Sequence, residues 1–244
     1  DDLPFVTRAD GFGWDVQTYT YRQAIGIEKT LQEVDDVGVI RGLQQDLMEN
    51  ANLTVELAIA DLFNRGVNPS SAPILCDDGM YLIDKDRPNA DPAAGTWYNE
   101  DTATAITSAA LFTSQLNARQ MTDEHGELSP RFIKKIVCRP NEEKTLWELQ
   151  KSDKEVGTAN NTSNFHMGRF EIEVYDFLTD ACAILLLGDP KSDANELSMY
   201  WRVKPELTTW KDGSNPDITK QRIRFAFGLG CGSPRKMFRG FEVS

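Results

Sequence analysis

The side chains of this sequence that could do chemistry are two histidines, four cysteines and a few short runs of acids and glycines. Neither His125 nor His166 has a Cys, Asp or Glu at the spacing that puts two metal ligands on one helical turn, as His-Glu-x-x-His does, so both are expected in surface loops. Asp77, Asp78, Asp84 and Asp86 are dense enough to attract a hard cation, but the calcium-loop spacing and its closing glutamate are missing, and a solvated turn is expected. Gly228, Gly230, Gly232 and Ser233 look like a phosphate-cradling loop, yet Pro234 follows with no lysine and no helix; a tight passage at a strand end is the reading. Glu171 and Glu173 share one strand face, where acid and base roles would require a cleft, and read as a charged rim. The glycosylation-type triplets at Asn52, Asn160 and Asn161 read as coincidences, the first falling within a helix. Cys76, Cys138, Cys182 and Cys231 are far apart without metal-type pairing, and Cys138 and Cys182 lie in apolar runs, so buried free thiols in a reducing cytosol are expected. No catalytic, cofactor-binding or metal-ligating residue is assigned.

With 38 acids against 26 bases the net charge is −12. That excludes a general electrostatic grip on phosphate backbones or anionic lipid; nucleic acid would be enclosed rather than gripped. Apolar residues at 40% and charged residues at 26% of the 244 fit a globular chain of one large or two small domains. The longest apolar stretch, residues 181–187, is far below the roughly 20 residues of a membrane span, and no transmembrane helix is expected. The acidic start Asp1-Asp2-Leu3-Pro4 has neither the basic nor the apolar region of a secretion signal and is compatible with a cut precursor.

The elements that must position these residues follow from periodicity. Residues 14–27, rich in aromatic and β-branched types, predict an extended, exposed strand. Leu43, Leu47, Ala51, Val55, Ala58 and Leu62 recur at the spacing of one helical face, which predicts a continuous amphipathic helix over 35–65 with Asp35 and Asp36 at its start and Gly66 as its stop. Residues 67–98 read as a Pro/Asp/Gly-rich excursion with a short strand at 80–83. A helix over 99–121, a buried strand within 131–139, a helix over 141–151 opened by Pro140, and a polar loop over 152–164 come next. Strands are predicted at 170–175, 182–187, 199–210 and 218–229. Helices and strands mix without βαβ alternation, so the class is α+β.

This order resembles the major capsid proteins of tailed bacteriophages with the Hong Kong 97-type fold. The helix at 35–65 is similar to that family's spine helix. Arg131-Phe132-Ile133-Lys134-Lys135-Ile136-Val137-Cys138-Arg139-Pro140 and its following helix resemble the opening of the axial domain. Trp201-Arg202-Val203-Lys204-Pro205, Arg222-Ile223-Arg224-Phe225-Ala226-Phe227-Gly228 and Ser233-Pro234-Arg235-Lys236-Met237-Phe238 resemble the paired peripheral strands and the return to the axial domain. The resemblance implies an N-terminal arm and extended-loop remnant at 1–30, a peripheral domain at 31–130, an axial domain at 131–198, peripheral strands at 199–232 and a return at 233–244. Only about thirty residues precede the spine helix, fewer than in the family, which fits short arms or a chain that starts late after proteolysis. No lysine–asparagine cross-link triad is matched.

The function implied is that of a major head protein and not an enzyme: copies assemble as pentamers and hexamers into an icosahedral shell in the host cytoplasm and enclose DNA without sequence-specific binding. No cofactor and no membrane are implied; portal, scaffold or decoration proteins are the further partners. Phe12, Trp14, Tyr19 and Tyr21 of a projecting N-terminal stretch, and Asn160, Asn161 and Asn164 of a loop aimed at the capsomer centre, are the subunit-interface candidates. An encapsulin-like compartment shell, separable by its neighbouring genes, is the close alternative. A cytosolic hydrolase built on the 67–98 excursion is the alternative from another class.

Overall fold

The computed structural model describes residues 12–13, 15–34, 38–64, 75–103, 105–123, 125–155, 162–179, 184–188, 197–236 and 238–243. The chain divides into two compact units. One comprises Asp15–Ile59 and Ser198–Gly230; the other comprises Ala60–Leu197 and Cys231–Ser244, together with the first fourteen residues. Residues 60–130 thus group with 131–197 rather than with the sheet strands that follow.

The strands and helices run β1 (Tyr19–Glu28), α1 (Lys29–Glu33), α2 (Val39–Asn64), β2 (Arg87–Pro88), β3 (Thr96–Trp97), β4 (Glu100–Ala103), α3 (Ser108–Arg119), β5 (Lys135–Cys138), α4 (Pro140–Lys151), β6 (Glu171–Val174), β7 (Ile184–Leu187), β8 (Leu197–Lys211), β9 (Ile218–Cys231) and β10 (Phe238–Val243). Two short 3-10 turns, Pro92–Ala94 and Pro234–Lys236, complete the order.

In the first unit, β1, β9 and β8 form an antiparallel sheet with β9 at its centre. The polar turn between β8 and β9 closes on itself, Asp212 N donating to Ile218 O at 2.9 Å and Ile218 N to Asn215 O at 3.1 Å. One sheet face carries Ile223, Phe225 and Phe227 of β9 and Tyr21 and Ile25 of β1, and it packs on Leu47, Ala51 and Val55 of α2. Side chains directly opposite across β1 and β9 share a face, so Tyr21 lies against Phe225 and stacks on Phe225 and Phe227 at 5.3 and 5.2 Å. The expectation of a projecting N-terminal stretch is therefore corrected for β1: all ten of its residues pair with β9, and Ile27 is buried.

The helix is also shorter than expected. It starts after Gly38, whose φ of +70° lies in the left-handed region, and its 26 residues span about 39 Å at the helical rise. Asp35, Asp36 and Gly66 lie outside the described residues. Leu47 and Leu62 are buried, while Leu43 and Val55 are half-buried.

In the second unit the sheet order is β4-β10-β7-β5-β6. β5 pairs parallel with β6 and antiparallel with β7; β10 pairs antiparallel with β7 and parallel with β4. α3 and α4 supply Leu111, Ala118, Leu146 and Leu149 to a core completed by Ile133, Ile136, Cys138 and Phe170. α4 has Pro140 in its first turn, acids Glu142 and Glu143 there and Lys151 in its last, all matched to the helix dipole.

Two predicted elements differ here. The helix expected over 99–121 is α3 alone, capped by Thr107 Oγ1 accepting from Ala110 N; residues 100–103 are strand β4 because β10, some 140 residues later, pairs with them. Residues 80–83 are not a strand. Their carbonyls at Tyr81 and Leu82 accept from side chains instead, Arg87 Nη1 reaching both and Asn99 Nδ2 reaching Leu82 O at 2.8 Å. That satisfies a buried backbone without a ladder. Among the described residues no helix is long and apolar enough to cross a membrane.

Candidate functional site

Three buried arginines hold the second unit's irregular excursion. Arg87, fully buried, donates Nε and Nη2 to the Asp78 carboxylate at 2.9 and 2.8 Å, and burial lowers its pKa despite that partner. Its guanidinium and that of Arg235 both lie over the Trp97 ring, 5.0 and 4.1 Å from the centroid. Arg239 of β10 grips Asp101 of β4 through two parallel hydrogen bonds, and Asn117 Nδ2 donates to the same carboxylate at 2.7 Å. The acidic turn is therefore not a solvated one at Asp78, and among the described residues no cluster of three or more His, Cys, Asp or Glu could hold a metal.

The cysteines divide. Cys76 and Cys231 form a disulfide with Cα atoms 4.6 Å apart, which corrects the expectation of free thiols; a bridge between residues 155 apart is invisible to spacing rules. Cys138 is free and buried, and burial, reinforced by Glu143 and Glu142, pushes its thiol up to about 11, so it is unreactive. Cys182 lies outside the described residues.

His125 is exposed, as expected. His166 is not a surface residue: it is fully buried, Nε2 donates to Ser108 O at 2.8 Å, and Nδ1 has no hydrogen-bond partner among the described residues. Burial lowers its pKa, and Arg169 adds to the lowering, against the Ser108 carbonyl and Glu155, which favour the charged ring. The unfolded chain therefore binds the proton first, and stability should decline as pH falls below about 6.5 toward the folded value. Urea unfolding between pH 7.5 and 4.5 should show a smaller pH slope in His166→Gln than in the natural chain; equal slopes would remove this residue from the account.

Phe12 and Tyr19 are exposed, with Tyr19 Oη donating to Gln17 Oε1 at 2.8 Å. Tyr21 sits in its own unit's core. Asn164 braces its own loop, Nδ2 donating to Leu149 O and Ser152 O at 2.6 and 2.8 Å and Oδ1 accepting from His166 N. Trp14, Asn160 and Asn161 lie outside the described residues. Among the described candidates, Tyr19 and Tyr21 share one face of β1, and Asn164 belongs to the other unit.

Exposed apolar side chains outside the subunit-interface candidates are more numerous. On α3, Phe112 and Leu116 share a stripe with Gln115 and Arg119, while Leu111, Ser114 and Ala118 face inward. Phe132, Trp147, Phe165, Tyr200 and Trp210 are also exposed. Their spacing puts Phe112 and Leu116 on one apolar helical face with Ile106, Ala109 and Ala110, and that expectation is corrected: both are exposed, and the face that meets the core is that of Leu111, Ser114 and Ala118. Glu171 and Glu173 are exposed on β6, the latter paired with Lys135, and Gly228 lies where any Cβ would strike the backbone of Gln17.

Residues 15–240 match a family model described as phage capsid protein. No curated protein matches the chain by sequence. Among solved structures, a chain of Mycobacterium phage Patience superposes with a TM-score of 0.60 at 10% identity, covering 94% of this chain and 70% of that one. The capsid of Ralstonia phage GP4 gives 0.55 at 13%, covering 93% and 73%, and the asymmetric unit of the bacteriophage PhiM1 mature capsid gives 0.55 at 13%, covering 99% and 79%. At such identities these likenesses establish an α+β capsid fold.

Proposed function

Since the chain belongs to the phage capsid protein family, we propose that it is the major head protein, copies of which close the icosahedral shell of the virion around phage DNA. It acts as a structural part and not as an enzyme. The match over residues 15–240 is the observation that carries this reading. The exposed aromatic pair Phe112–Phe165, contiguous with Leu116 of the same helix as Phe112, is in keeping with it, because contiguous apolar surface marks contact sites.

Within this reading the architecture is of the Hong Kong 97 type. The unit of Asp15–Ile59 and Ser198–Gly230, in which α2 lies against the three-stranded sheet, serves as the peripheral domain with α2 as its spine. The unit containing Ala60–Leu197 serves as the axial domain, with the 152–164 loop directed at the centre of pentamers and hexamers. The acidic chain encloses its DNA and leaves the charge balance to counterions. Decoration, scaffold and portal proteins are its further partners, and assembly takes place in the host cytoplasm.

Sedimentation of the purified chain tests the reading directly. Megadalton particles, seen as closed shells by electron microscopy, are expected; a species that stays at 27.4 kDa under every assembly condition would rule the shell function out.

A further inference from the structure

The exposed stripe of α3 does not stand alone. Phe112 meets Phe165 edge to face at 5.3 Å, Arg169 lies 3.9 Å over the Phe165 ring, and Arg119 lies 5.0 Å over Phe132. Between them opens a pocket of about 280 Å³ lined by Gln115, Arg119, Phe132, Ile133, Lys134 and Arg169. Its lining holds three cations and no carboxylate, on a chain of net charge −12. Neither the Arg119 nor the Arg169 guanidinium has an ion-pair partner among the described residues. Phe132 is 54% exposed, and the pocket is slightly below the roughly 300–1,000 Å³ typical of small-molecule sites. Aromatic side chains interleaved with arginine around a cleft sized for one large side chain are the composition of a protein-binding hot spot.

The same unit carries a complementary projection. On α4, Trp147 is 57% exposed, and one turn before it Glu143 is exposed and makes no ion pair among the described residues. Leu146 and Leu149 turn into the core, so the outward face of α4 presents the indole with the Glu143 carboxylate one turn before it; Lys144 on the same side is paired with Glu148, and Lys151 follows one turn later. Trp147 is not among the residues lining the pocket in its own chain.

We propose that the pocket bounded by Arg119, Phe132 and Arg169 in one copy receives Trp147 of a second copy, with Glu143 reaching the arginines. Because pocket and projection are different surfaces of one unit, the contact is heterologous and repeats head to tail, the kind that closes rings. This rests on the shell reading, which supplies the second copy; charge complementarity and the exposed indole select the partner surface.

Four chains test it: the natural one, Trp147→Ala, Arg169→Glu, and Arg169→Glu combined with Glu143→Arg. All the altered side chains are at the surface, so circular dichroism and subunit melting should be unchanged. The two single substitutions should lower the yield of closed particles by about tenfold or more, the scale of a hot-spot loss, and the charge-swapped double should recover most of it. As a second readout, a Phe132→Cys chain mixed with a Trp147→Cys chain should form a disulfide-linked dimer on oxidation, which neither forms alone. Natural particles with undiminished yield in the single variants, or no recovery in the double, would overturn the proposal while leaving the shell function standing. Shells of normal yield that lose only their nucleic acid would assign the pocket to phosphate and overturn it equally. A natural chain that never assembles would remove the shell reading and this contact together.

Discussion

Leu47→Asp is expected to leave no assembly-competent subunit. Leu47 is 1% exposed, on the α2 face that meets Ile223, Phe225 and Phe227. Removing its side chain alone, as in Leu→Ala, costs about 2–5 kcal/mol at such a site. A carboxylate in its place adds several kcal/mol more, whether it stays charged or takes up a proton to avoid the charge. The sum approaches the whole of a typical domain stability of about 5–15 kcal/mol. The chain should accumulate as insoluble material, or as a soluble species whose α2 and three-stranded sheet give no cooperative melting transition. Leu47→Met, which keeps volume and polarity, should cost less than about 1.5 kcal/mol and assemble normally. Normal particle yield from Leu47→Asp would mean that this face of α2 is not the core face.

The second large effect is expected at the β4–β10 junction. Asp101 and Arg239 are both buried, and their bidentate pair joins strands whose sequences lie 138 residues apart. Asp101→Ala leaves the Arg239 guanidinium with the Tyr98 carbonyl at 3.4 Å and the Tyr98 ring as its remaining contacts. Stranding a buried charge in this way typically costs about 3–5 kcal/mol, and urea unfolding should show a loss of that size. The double substitution Asp101→Leu with Arg239→Met removes both charges and should recover most of it, since a packed apolar pair often replaces a buried ion pair at little cost. If the double variant were no more stable than Asp101→Ala, the loss would come from packing or from the hydrogen bond of Asn117, not from the orphaned arginine.

The two predictions differ in how far they were visible beforehand. Leu47 was legible because a helical face repeats every three or four residues, and burial of one face is a local property that the chain writes in its own spacing. The same holds for β8 and β9, whose polar turn at 212–217 separates two long β-type runs, and for α4, announced by Pro140 and its charge gradient. Composition and net charge likewise bound the function.

What needed the tertiary structure is everything whose partner is distant. β4 looked helical because Glu100 to Ala103 has no local reason to extend; its reason is β10. Asp101 was one acid among 38 until Arg239 was placed beside it, and Cys76 looked like a lone thiol until Cys231 met it. His166 and Arg87 are polar types that usually face water, and only a surrounding core that supplies carbonyls and a carboxylate makes their burial affordable. Sequence alone thus determined the periodic elements, their order and the family they resemble. Tertiary structure alone decided the strand partners, the buried ion pairs and the disulfide, because pairing energies between residues more than a hundred positions apart leave no period in the chain.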